Sequence, residues 1–141
     1  MRKSYIDLQR NISNVSKLSY CQFVRKGKYG FSVEISVRDG RYVLRIDYAE
    51  KKGPEVYLVS PEIEVDNWVE IHTYGKEYHR DYKKKLPKLC LTYSKIDKWS
   101  TSTPLVESYI PWAIEWTEFY ELWLLTGKWY GKGVHISDKE E

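Results

Sequence analysis

The chain has 141 residues, 42% of them hydrophobic and 30% charged, which suits one domain and excludes a disordered chain. Folding at this length removes roughly two-thirds of the unfolded chain's surface from water, so a full core is available. The formal net charge of +3 is mild, and aromatic residues make up 16% of the chain, so the interior depends on tryptophan and tyrosine more than on aliphatic side chains.

Residues 1–141 are expected to form a single domain, with 136–141 as a flexible, solvated tail. No apolar segment follows Met1-Arg2-Lys3-Ser4, and the longest unbroken apolar run, residues 122–125, is far too short to span a bilayer. A soluble, cytoplasmic protein with no membrane partner is expected. Cys21 and Cys90 make no disulfide framework and no metal-type spacing, which fits a reducing compartment.

Tyr5, Leu8, Ile12 and Val15 recur at helical spacing, with Ser4 available as an N-cap, so an amphipathic helix opens the chain. Period-two runs at residues 20–25, 31–37 and 42–48 predict strands; in the second, Phe31, Val33, Ile35 and Val37 share one face. Asp39-Gly40 is a hairpin signal, because both residues tolerate positive φ. Lys51-Lys52-Gly53-Pro54 turns the chain into a fourth strand at 55–60, ended by Pro61, completing an antiparallel meander.

The pattern then loosens over residues 65–86, which reads as a long, partly irregular crossing. Thr103-Pro104 and Pro111 mark helix starts in the last third. The stripe Ala113, Trp116, Phe119 or Tyr120, and Trp123 belongs to a helix ended by Gly127 as a left-handed cap, and such a stripe is more often core than ligand box.

Leu89-Cys90-Leu91 carries the sharpest chemical signal. Cys90 follows the basic run Lys83, Lys84, Lys85 and Lys88 and the turn residue Pro87, a setting that can present a thiol and favour its nucleophilic, ionised form. A buried cysteine in a core strand has the same local text. The lysines that alternate with Tyr78, Tyr82 and Tyr93 also suit single-stranded nucleic acid, although charge runs are mostly solvated faces, so nucleic acid is not the favoured partner. His72, His79, Cys90 and His135 are too widely separated for a standard zinc site, and neither a metal nor another cofactor is expected.

The order of elements, with Leu89-Cys90-Leu91 followed by Trp99-Ser100-Thr101-Ser102-Thr103-Pro104, resembles the ubiquitin-conjugating (E2) enzymes. The C-terminal text, Ile110-Pro111-Trp112, Glu115-Trp116, Tyr120-Glu121-Leu122-Trp123 and Thr126-Gly127-Lys128-Trp129-Tyr130-Gly131, is similar to bacterial E2-like proteins of CBASS anti-phage operons. The resemblance implies an α+β, E2-like fold: an N-terminal helix, a four-stranded antiparallel meander, an active-site crossing and C-terminal helices. It implies an acyl (thioester) transferase that carries a protein C-terminus on Cys90, with a cGAS-like nucleotidyltransferase as cargo and an E1-like activator as a further candidate partner.

Eukaryotic members place His-Pro-Asn upstream of the cysteine, whereas this chain has His79-Arg80-Asp81. The resemblance gives His79 a packing or hydrogen-bonding role beneath the active-site segment. A carboxylate repels a developing oxyanion, so Asp81 at the asparagine's place would instead orient or deprotonate an incoming amine. A non-catalytic E2-fold adaptor, with Cys90 merely buried, is the alternative.

Overall fold

A computed structural model describes residues 3–50, 52–71, 73–79, 85–91 and 103–131. Helix α1 (Lys3–Ser16) opens the chain and turns Asp7, Leu8, Asn11 and Val15 inward. Ile12 packs against the same core while partly exposed. Ser4 lies within α1 rather than capping it, because the helix already runs from Lys3.

Strands β1 (Cys21–Lys26), β2 (Gly30–Val37), β3 (Tyr42–Ala49) and β4 (Gly53–Ser60) form the expected meander. Between β2 and β3 the turn takes positive φ at Arg38 and Asp39 as well as at Gly40. Val37 pairs with Tyr42 across it, and from there the register puts Phe31 against Tyr48, whose rings stack at 5.4 Å. Phe31, Val33 and Ile35 are buried, as their alternation predicts, and Leu44, Ile46, Val56 and Leu58 join them from the next two strands.

The crossing differs from its sequence reading. Two short 3-10 turns, Val65–Asn67 and Val69–Ile71, are followed by β5 (Thr73–His79) and β6 (Leu86–Leu89). The sheet therefore has six strands in the order β1-β2-β3-β4-β6-β5, not four. β5 escapes detection because Thr73 to His79 lacks an apolar alternation, and β6 because it is four residues long and contains Pro87. Proline is tolerated in strands beside irregular pairing, and Pro87 stands opposite Tyr78, where the β5–β6 register shifts.

Helix α2 (Tyr109–Thr126) follows a single 3-10 turn, Leu105–Glu107. Pro111 sits in its first turn and not at its start, a position where the missing N–H has no intrahelical partner to lose. Ile110, Ala113, Trp116, Thr117 and Tyr120 are buried, so Tyr120 rather than Phe119 occupies the stripe. Gly127 ends the helix at φ 76°, donating its N–H to the Trp123 carbonyl at 2.7 Å. Asn11 joins α1 to the approach of α2: its Oδ1 accepts the Leu105 N–H at 2.8 Å. Among the described residues no helix is long and apolar enough to cross a membrane.

Trp116 ties α2 to the crossing, stacking on Tyr120 at 5.5 Å and donating its indole N–H to the Ile71 carbonyl at 3.0 Å. It is 3% exposed, so Trp116→Ala should cost about 3–5 kcal/mol through lost burial and an open cavity. Urea titration of the variant measures this, and an unchanged midpoint would mean that the side chain is not core.

Further along α2, Glu121 accepts hydrogen bonds from Tyr42 at 2.9 Å and Arg41 at 3.1 Å, and it pairs with Arg38 at 3.1 Å. The Tyr42 hydrogen bond holds its carboxyl below the usual value; burial opposes it, and the charges of Arg38 and Arg41 add to the lowering. A depressed folded pKa gives stability that is present above the unfolded carboxylate's value of about 4.3 and is lost as pH falls through the lower folded value. Glu121→Gln should therefore lose about 0.5–1 kcal/mol at neutral pH, and the difference from the wild type should shrink as acid protonates Glu121. Urea curves at neutral and acid pH test the sign.

Candidate active site

Cys90 directly follows the last residue of β6, in no disulfide and with 7% of its surface exposed. β6 lies between β4 and β5, and its Lys88 stands opposite Tyr57 on one side and Tyr74 on the other. Pairing on both edges fixes the backbone that leads into Cys90. Leu89 is buried, and Leu91 packs against the core while partly exposed. Cys21, by contrast, lies on β1 opposite Ile35 and is half-buried.

A recess of about 80 Å³ opens beside Leu89 and Leu91, walled by Pro54 and Glu55 of β4, Lys88 of β6 and Tyr109 of α2. Antiparallel pairing brings the beginning of β4 against the end of β6, and α2 starts at the same place. Lys88 Nζ lies 3.1 Å from Glu55 Oε2, and Lys52 Nζ lies 3.3 Å from Glu55 Oε1. Lys88 and Glu55 are both mostly shielded from water, at 18% and 17% side-chain exposure, so their attraction is stronger than that of a surface pair. Of the basic run before Cys90, Lys88 is thus engaged by a carboxylate and Lys85 is exposed.

Tyr109 closes the recess from the helix side, its ring against Trp112 at 5.4 Å. Burial first, and then the charges of Cys90 and Glu55, push its phenol up to about 12. The phenol therefore keeps its proton at neutral pH, as a hydrogen-bond donor placed beside the cysteine segment.

His79 ends β5 opposite Leu86, at the other end of β6 from Cys90. The four residue steps from Leu86 to Cys90 span about 13 Å. Asp81, Lys83, Lys84, Tyr82, Tyr93, Trp99, His72, His135 and the tail at 136–141 lie outside the described residues. Among the described residues no three or more His, Cys, Asp or Glu side chains gather as a metal site.

Glu55 and Tyr109 are site residues that sequence reasoning missed. Period two does place Glu55 on the opposite face of β4 from Val56, but only the β4–β6 pairing shows which charge it meets. Tyr109 carries a weaker signal still: an aromatic residue two positions before a helix-opening proline reads as core.

No curated protein matches the chain. A family model described as type II CBASS E2 protein matches residues 6–136, nearly the whole length, and with an α+β fold that leads an interior strand into a Leu-Cys-Leu segment, the chain belongs to that family.

Proposed function

We propose that the protein carries a protein C-terminus as a thioester on Cys90 and transfers it to a nucleophile, acting as an E2-like acyl transferase in CBASS anti-phage defence. The observation that carries this reading is the placement of Cys90 at the end of an interior strand, beside a recess with polar walls, within a chain of this family. The cargo is the C-terminus of a cGAS-like nucleotidyltransferase, supplied by an E1-like activator, and the work is done in the cytoplasm.

In the charging step the Cys90 thiolate attacks the carbonyl carbon of an incoming thioester, and the donor's thiolate leaves as the tetrahedral intermediate collapses. In discharge an amine attacks the same carbon, loses its proton to a base, and the Cys90 thiolate departs. A thioester is already activated, so orientation, a donor for the oxyanion and a base suffice. Asp81 is the base or orienting group in this scheme, and His79, paired with Leu86, supports the start of the strand that leads to Cys90 and not the thiol itself.

Co-expression with the nucleotidyltransferase should yield a reductant-sensitive adduct. Cys90→Ser should convert it to a slower, reductant-resistant ester and Cys90→Ala should abolish it, as read on non-reducing gels. An adduct that persists in Cys90→Ala would place the bond elsewhere. The low exposure of Cys90 favours one rival, a non-catalytic E2-fold adaptor. It is recognised by partner binding that survives Cys90→Ala while the wild type forms no adduct.

Asp81 separates the two steps of the cycle. Asp81→Asn should leave thioester formation nearly intact while slowing discharge by about a hundredfold, the typical loss on removing a general base. Single-turnover discharge of purified thioester measures it, and an unchanged rate would reduce Asp81 to a loop residue.

A further inference from the structure

We propose that residues 132–141 dock back along the Trp112 side of α2 and bring their acidic end to Lys52 and Lys88 at the recess. The occupant of this face is thus a segment of the chain itself.

The residues around the helix cap set the direction. Gly127, in the left-handed conformation at φ 76°, reverses the chain after α2. Trp129 then lies over the helix that the chain has just left, 5.5 Å from the Trp116 ring and 6.0 Å from that of Phe119. Gly131 passes against the same rings: a Cβ there would come within 2.5 Å of Trp129 Nε1 and 3.2 Å of Phe119 Cδ2. The chain therefore leaves the described residues beside Phe119, about two turns back from the helix end and heading toward its start.

Ahead on that face lie a half-covered ring and then positive charge. Trp112 is seven residues before Phe119 and so shares its face; it is partly exposed, whereas Trp116, the ring that Trp129 covers, is 3% exposed. Glu115, exposed one turn before Phe119, offers a counter-charge to Lys132. Val134 and Ile136 alternate, so an extended segment presents both to Trp112. The seven residue steps from Gly131 to Asp138 extend about 23 Å, and α2 from Phe119 back to Tyr109 is about 15 Å long. Asp138, Glu140 and Glu141, which outnumber Lys139, can thus reach the recess that Tyr109 walls. There Lys52 and Lys88 share the carboxylate of Glu55, at 3.3 and 3.1 Å, so two ammonium groups face one counter-ion and the described site is left with net positive charge.

Carbodiimide coupling of the full chain tests the docking, because it joins a carboxylate only to an amine in contact with it. Mass spectrometry should find Asp138, Glu140 or Glu141 joined to Lys52 or Lys88, with the Glu55–Lys88 link as an internal standard. Val134→Ser combined with Ile136→Ser should lower the links from the segment by about fivefold or more and leave the standard unchanged. Absence of those links while the standard forms would overturn the proposal. Links spread evenly over exposed lysines such as Lys17 and Lys28, or indifferent to the double variant, would overturn it too. In a mixture of isotope-labelled and unlabelled protein each link should join two parts of one chain; links between labelled and unlabelled chains would give the face to a second copy and refute the assignment. None of these outcomes depends on the thioester reading.

Discussion

The position of Cys90 depends on how three side chains pin the irregular chain between β4 and β5. Trp68, 1% exposed, donates its indole N–H to the Ile63 carbonyl at 3.1 Å, and its own carbonyl accepts the Thr73 hydroxyl at 2.7 Å. Trp116 adds its hydrogen bond to the Ile71 carbonyl from α2. A buried segment without ladder partners must satisfy its polar backbone in some other way, and here side chains do so. The same bonds decide where β5 begins, which sets its register on β6 and, through β6, the point at which the sheet delivers Cys90.

The first four strands and both helices were legible because their burial is periodic: Phe31, Val33 and Ile35 alternate, and Ala113, Trp116 and Tyr120 follow a helix. β5 and β6 were not, because their existence depends on the open edge of β4 and not on any pattern of their own. The site divides in the same way. Cys90 stood out by its neighbours in the chain, whereas Glu55 and Tyr109 reach it only through tertiary pairing, from elements that begin far away in sequence. Local text identifies a nucleophile more readily than the groups that surround it.

Among the described residues, the lysine nearest the cysteine in the chain is not an isolated charge. Read as text, the lysine run is a block of positive charge; in the fold, Lys88 faces Glu55, and a neutral phenol, Tyr109, shares with them the wall of the recess beside Leu89 and Leu91. In a shielded recess a neutral donor carries a smaller desolvation cost than an unpaired ion. A site with a paired lysine and carboxylate and a protonated tyrosine is thus less costly to bury than one that concentrates cations around a thiol.

Helix α2 spans the molecule from the recess to the β2–β3 turn, where Arg38, Arg41 and Tyr42 hold Glu121. Twelve residues of helix, about 18 Å, separate that anchor from Tyr109, and each residue turns the helix by about 100°. Inserting or deleting one residue between them would leave both side chains in the chain yet swing the phenol out of the recess or release the anchor. The spacing from Tyr109 to Glu121 is therefore a constraint in its own right: this stretch of α2 can tolerate a change of residue type where it cannot tolerate a change of length.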